Sequence, residues 1–213
     1  MLTSIAAASL GMAAKIITSV DTRWIARPAS TGPRVYIANH SSHADFVLLW
    51  ACLPRHLRAC TCPVAAADYW TRGGVRRFLI HRVFQGVLVD RGHIQQSCNP
   101  LAEMLLALDA GKSLVVFPEG TRGTGVRLGQ FKCGIYHLAR ARPELEFVPV
   151  WIDNLNRVLP KGALLPVPLR CSVTFGAPAR LGDGESKDRF LARMRRRVAE
   201  LGESCHSTTK HYL

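Results

Sequence analysis

The segment Asn39-His40-Ser41-Ser42-His43-Ala44-Asp45 sets a histidine and an aspartate five positions apart, between the apolar runs Val35-Tyr36-Ile37-Ala38 and Phe46 to Leu53. An imidazole bonded through one ring nitrogen to a carboxylate is fixed in a single tautomer and is stabilised when it becomes cationic. Its other nitrogen can then take a proton from a hydroxyl. A bend that brings Asp45 to His40 makes this pair a general base. The same residues also read as a surface histidine and a helix-capping aspartate, and His43, two residues from Asp45, competes for the role of base.

A second constellation, Phe117-Pro118-Glu119-Gly120-Thr121-Arg122, follows the apolar run Ser113-Leu114-Val115-Val116. The planar fork of an arginine suits phosphate oxygens, and a glycine lets the backbone approach a ligand closely. The loop is therefore a candidate anion site, with a Glu119–Arg122 ion pair across a turn as the competing reading. Val89-Asp90-Arg91 ends another apolar run, and Phe131-Lys132-Cys133-Gly134 opens a helical stretch beyond the Glu119 loop.

Taken in order, N-H-S-S-H-A-D, V-D-R, F-P-E-G-T-R, F-K-C-G and V-P-V run from about Val35 to Val150. This set resembles the glycerolipid acyltransferase family typified by lysophosphatidic acid acyltransferases (1-acyl-glycerol-3-phosphate O-acyltransferases). The resemblance implies that His40 is the general base and Asp45 its orienting partner. Arg91, Glu119, Gly120, Thr121 and Arg122 become the acceptor site, with Arg91 and Arg122 on the phosphate. It implies an acceptor hydroxyl for Glu119, because a carboxylate and a phosphate repel. Lys132 is a further phosphate candidate, or a solvated lysine at a helix start. The implied reaction moves a fatty acyl group from acyl-CoA or acyl-carrier protein to a lysophospholipid hydroxyl, foremost 1-acyl-glycerol 3-phosphate, giving phosphatidic acid in phospholipid biosynthesis. It requires no cofactor and no metal. Lyso-ornithine lipid, glycerol 3-phosphate and other lysolipids are alternative acceptors. Two departures stand out: Gly123 where many members carry Ser, and a short N-terminus where many carry spanning helices.

The elements that must position these residues follow from apolar periodicity. Short buried runs at 35–38, 57–63, 86–91, 113–117, 147–152 and 172–176 read as strands. Between them, 69–84, 97–110 and 131–140 read as helices, with Gly111 as a stop, and a last helix over 187–201 follows. Strands alternating with helices predict one α/β domain with a mostly parallel or mixed central sheet flanked by helices, and functional loops at the carboxyl ends of the strands. Val148-Pro149-Val150 belongs to such a strand. Residues 187–201 place Phe190, Leu191, Met194, Val198 and Leu201 on one side, with five arginines elsewhere. That predicts a core-packing helix with a solvated basic face, or one whose basic face contacts a membrane.

The 213 residues suffice for one buried core. With 28 Lys+Arg against 15 Asp+Glu, the net charge of +13 favours anionic surfaces. No nucleic-acid module signature and no G-x-x-x-x-G-K loop occurs, so an anionic membrane is the expected partner and nucleic acid is not. A basic membrane-binding module without catalysis is the reading from another class. Seven cysteines form no framework, which fits a reducing setting, and Cys60-Thr61-Cys62 with Cys52 and His56 matches no paired zinc pattern. Residues 1–26 read as an N-terminal apolar or amphipathic helix preceding a domain over 27–213. Ile5, Leu10, Met12, Ile16, Ile17 and Val20 form a stripe that either lies in a membrane interface or packs on the domain. The expected location is the cytoplasmic face of a membrane, peripheral or monotopic.

Overall fold

Burial of Val35, Tyr36, Ile37 and Ala38 on both faces of one strand requires helices on each side of a sheet. The computed structural model, which describes residues 2–26, 32–89, 99–123, 128–158 and 170–209, has that architecture. In chain order, α1 (Leu2–Thr18) and β1 (Asp21–Trp24) lead to β2 (Arg34–Ala38), α2 (Asp45–Cys52), α3 (Arg55–Ala59) and β3 (Thr61–Ala66). Then come α4 (Ala67–Trp70), α5 (Gly74–Phe78), which continues as a π-helical turn over Leu79–Val83, and β4 (Val87–Val89). The second half holds α6 (Pro100–Asp109), β5 (Ser113–Val116), α7 (Gly134–Ala141), β6 (Glu146–Asp153), α8 (Leu155–Val158), β7 (Ser172–Phe175) and α9 (Lys187–Thr209).

The seven strands form one mixed sheet in the order β1-β7-β6-β2-β5-β3-β4. Among these pairings, β6 with β7 is antiparallel, and the rest are parallel. On one face α6, α7 and α9 bury Met104, Leu108, Ile135, Leu138, Phe190 and Met194. On the other, α2, α8 and Phe84 cover Tyr36, Val115 and Val150. Because β2, β5 and β3 run parallel, the segments after Ala38, Val116 and Ala66 leave the sheet at the same end.

Several elements differ from the sequence reading. The strand expected to end near Pro63 continues to Ala66. It pairs with β5 through Pro63 and with β4 from Val64 onward, so the missing proline N–H falls where the strand changes neighbours. The helix expected over 69–84 is broken at Gly73, whose φ of +84° lies in the left-handed region. The N-terminal helix stops at Thr18, Ser19 turns at φ +42°, and residues 21–24 form a strand beside β7. The apolar stripe of α1 divides: Leu10 packs into the core, while Met12 and Ile16 stay 61% and 70% exposed. Helix α9 runs eight residues past the expected Leu201. Gly202 lets it lie flush on β6, since a Cβ there would come within 2.6 Å of the Trp151 ring. The Pro/Ser/Thr/Gly loop at 27–31 lies outside the described residues.

Candidate active site

Asn39 directly follows β2 as a buried polar residue, and its side chain ties the strand end to the sheet. Its amide donates to the Ile152 carbonyl at 2.9 Å and accepts from the Ile152 N–H at 2.8 Å. That pins the exit of β2 to β6, and His40 follows directly. The chain then bends through Ser41 and Ser42 into α2, whose first residue is Asp45. Asp45 has no exposed side-chain surface, and its Oδ2 accepts three bonds: Ser41 N–H at 2.6 Å, Ser42 N–H at 2.8 Å and His40 Nδ1 at 2.8 Å. Oδ2 serves as acceptor to both backbone N–H groups, so with Oδ2 accepting here too, Nδ1 carries the hydrogen and donates it. The lone pair of the ring is thereby on Nε2. The His40 ring stacks on Phe117 at 4.3 Å between centroids and remains 20% exposed, which leaves it open to ligand.

The loop after β5 is built around Glu119, which is buried. Its Oε1 accepts the backbone N–H of His40 at 2.9 Å and its Oε2 that of Gly129 at 2.8 Å. Gly123 N–H returns to the His40 carbonyl at 2.8 Å. Glu119 therefore fastens the Phe117–Arg122 loop to the histidine, and the Glu119–Arg122 ion pair weighed above does not form. The expected bond from Glu119 to an acceptor hydroxyl would have to share oxygens already used by two amides. Gly120 has φ +71°, and a Cβ there would lie 2.6 Å from both Cε and Nζ of Lys132. The absence of a side chain at 120 thus seats the Lys132 amine against the loop. Leu128 and Gly129 are held from a distant element: Arg195 of α9 donates to the Leu128 carbonyl at 2.7 Å and to the Gly129 carbonyl at 2.9 Å. The basic face of α9 is thus partly spent on this clamp.

His40, Phe117, Gly120, Thr121 and Arg122 line a cavity of about 290 Å³ at the carboxyl ends of β2, β3 and β5. Its remaining wall comes from His43, Phe46, residues 63–66 and Asp68, Tyr69 and Trp70. Among the described residues Arg122 has no ion-pair partner, so its charge is available to an anion in that space. His43 stacks on Tyr69 at 4.5 Å between centroids, and the guanidinium of Arg76 lies 4.4 Å from the centre of the Tyr69 ring. Desolvation lowers the His43 pKa below its ordinary value, and the charges of Arg122, His40 and Arg76 lower it further. The histidine bonded to the carboxylate is His40, and His43 stands in the cavity wall. Asp90 and Arg91 lie outside the described residues. No group of three or more His, Cys, Asp or Glu side chains able to hold a metal occurs among the described residues.

Sequence reasoning missed four contributors: Asn39 as a strand tie, Asp68 and Tyr69 in the cavity wall, and Arg195 as a clamp. A polar residue directly after the apolar run Val35-Tyr36-Ile37-Ala38 is a signal that points to Asn39. Nothing local marks Arg195, since its partners are 66 and 67 residues away.

Residues 17–153 match the family model described as Acyltransferase. Among curated relatives, the 1-acyl-sn-glycerol-3-phosphate acyltransferase of Cocos nucifera is 27% identical over 157 residues, 72% of this chain and 48% of its own. That of Escherichia coli (strain K12) is 28% identical over 153 residues, 61% and 53% of the two chains. The "Taffazin" of Dictyostelium discoideum is 27% identical over 195 residues, 84% and 62%. The chain spans between 36% and 62% of the length of the curated relatives it matches. The crystal structure of the 1-acyl-sn-glycerophosphate (LPA) acyltransferase PlsC from Thermotoga maritima superposes with a TM-score of 0.70 at 19% identity, covering 94% of this chain and 81% of that one. That likeness concerns the fold.

Proposed function

The chain belongs to the Acyltransferase family, and from that premise we propose that it transfers a fatty acyl group from acyl-CoA or acyl-carrier protein to the free hydroxyl of a lysophospholipid, with 1-acyl-glycerol 3-phosphate as acceptor and phosphatidic acid as product. The observation that carries this reading is the His40–Asp45 pair opening, 2.8 Å apart, on a cavity that also holds the unpaired Arg122. His40 Nε2 takes the proton of the acceptor hydroxyl as its oxygen bonds to the thioester carbonyl carbon. The tetrahedral adduct then collapses, the C–S bond breaks, and the proton passes from the imidazolium to the departing sulfur. Asp45 stabilises the imidazolium that exists between the two transfers. Arg122 holds the acceptor phosphate with charge-assisted bonds, and Lys132, seated against Gly120, adds a second positive charge to the loop. The reaction consumes no cofactor.

The same reading places the protein on the cytoplasmic face of an anionic membrane, where its acceptor resides. Exposed Met12, Ile16 and Ile17 on α1 supply an apolar strip for an interfacial helix, and the net charge of +13 adds attraction. No helix among the described residues is long and apolar enough to cross a membrane. A second acceptor class is favoured by one observation: Asp68 lines the same cavity as Arg122, so an acid and a base face one ligand, as a zwitterionic headgroup would use them.

The test is a mass-spectrometric screen of the purified protein against several lysolipids with both donor types. His40→Ala should abolish turnover while the thermal melt is retained, and wild-type rates in that variant would refute the assignment. Arg122→Ala should cripple a phosphomonoester acceptor more than a zwitterionic one; Asp68→Ala should do the reverse. Equal losses on both acceptors would count against the phosphate role of Arg122.

A further inference from the structure

A second and larger cavity, about 530 Å³, opens at the opposite end of the sheet. Cys60 and Lys112, which line it, precede β3 and β5, whereas His40 and Glu119 follow β2 and β5. The four residues of β5 alone separate the two ends by about 13 Å. The aromatic cluster of Phe46, Trp50, Trp70 and Phe84 stands between the cavities: Phe46 and Trp70 face the catalytic one, Trp50 and Phe84 this one.

Four cations line this space, Arg55, Arg58, Arg82 and Lys112, and no acidic residue does. Among the described residues none is neutralised by a carboxylate. Lys112 Nζ donates to the neutral amide of Gln85 at 3.0 Å, and the Arg58 guanidinium lies 5.2 Å from the centre of the Trp50 ring. Arg55 and Arg82 have no ion pair and no side-chain hydrogen bond among the described residues. Some arginines elsewhere are paired, Arg23 with Asp21, Arg142 with Asp109, Arg180 with Glu146 and Arg193 with Glu185, so what sets this cavity apart is the gathering of four cations without an acid. Four like charges around one cavity repel each other, and an anion bound among them removes that repulsion.

We infer that this cavity binds a phosphate-bearing ligand at a site separate from the catalytic one. Arginine forks favour phosphate over a simple halide. The volume exceeds inorganic phosphate and falls in the range of small-molecule sites. Ala7 and Ala8 of α1, with Val83 and Phe84, give it an apolar side that suits an amphiphile or a flat ring. Two sources share this chemistry: the headgroup of an anionic phospholipid, brought close by the exposed strip of α1, and the phosphates of coenzyme A. Binding is its readout, so only the meaning of a coenzyme A site as a donor site rests on the acyl-transfer reading.

The experiment is calorimetric titration of the intact protein with dihexanoyl phosphatidic acid in one arm and coenzyme A in the other. Arg55→Ala/Arg82→Ala should weaken binding in at least one arm by about tenfold or more, and Lys112→Gln should weaken the same arm. Arg140→Ala/Arg189→Ala, which removes the same charge from exposed positions elsewhere, should leave it nearly unchanged. Loss in the lipid arm identifies a headgroup site, and loss in the coenzyme A arm a donor-phosphate site. Equal losses in the two double variants would reduce the effect to diffuse charge and overturn the proposal. Binding abolished by Arg122→Ala but indifferent to Arg55→Ala/Arg82→Ala would also overturn it, because the ligand would then occupy the catalytic cavity. Arg55 and Arg82 are exposed, so a matching thermal melt separates lost binding from lost folding.

Discussion

Replacing Asp45 by Asn changes one atom in the buried dyad, and the structure fixes what that atom must do. Three hydrogens, from Ser41 N, Ser42 N and His40 Nδ1, converge on Oδ2, while Oδ1 is buried and finds no hydrogen-bond partner among the described residues. An asparagine has two ways to fit. If its oxygen stays at the Oδ2 position, its NH2 is buried without an acceptor, which costs about 1–3 kcal/mol of stability. His40 then keeps its tautomer but loses the charge that stabilises the imidazolium. If the amide turns over, NH2 faces two backbone N–H groups and forces His40 into the tautomer with hydrogen on Nε2, which cannot accept a proton. Either way general-base catalysis is lost, a factor of about 10² to 10⁴, or roughly 2.7–5.4 kcal/mol in the barrier at about 1.36 kcal/mol per tenfold. Asp45→Asn should therefore lower kcat with 1-acyl-glycerol 3-phosphate by that factor with little change in acceptor KM, measured as thiol release from acyl-CoA. Urea unfolding should show the smaller stability loss in parallel. A folded Asp45→Asn protein with kcat within about threefold of the parent would refute the dyad reasoning.

Gly120→Ala should lose about 1–2 kcal/mol in urea unfolding, because φ at 120 is left-handed, and should raise acceptor KM by displacing the Lys132 amine; an unchanged KM would remove Lys132 from binding. Arg195→Ala should lower kcat roughly 10- to 100-fold through misplacement of the Glu119 loop and of His40, with Arg195→Lys recovering part of it; a stability loss with unaltered kcat would make the clamp merely structural. His43→Phe should keep the stack on Tyr69 and retain most activity in a pH–rate profile; a loss as deep as that of His40→Ala would reassign the base. Glu185, bonded to Arg193, has its carboxyl held below the ordinary 4.5. Its stabilisation is complete above the unfolded value and fades as pH falls through the folded one. The gap in urea midpoint between the native protein and Glu185→Gln should thus narrow below pH 4.5, and a constant gap would contradict the linkage.

The sequence by itself determined the chemistry-bearing blocks, the alternation of strands and helices, and hence the α/β class. Those features are local: residue type, spacing and apolar period are visible within a dozen residues. The His40–Asp45 pair was legible for the same reason, since both residues sit in one bend. Gly120 was readable as a site of close approach, although what approaches it, Lys132, was not. Only the tertiary structure decided which histidine meets the carboxylate, because one turn of chain could bring either ring near Asp45. It also decided that Glu119 holds the His40 amide instead of standing free, that Pro63 lies inside a strand where neighbours change, and that Arg195 reaches across from α9 to Leu128 and Gly129. Each depends on contacts between residues far apart in sequence, and such pairings leave no period or spacing to read. The four cations around the second cavity are of this kind, scattered from Arg55 to Lys112 and gathered only by the folding of β3 beside β5.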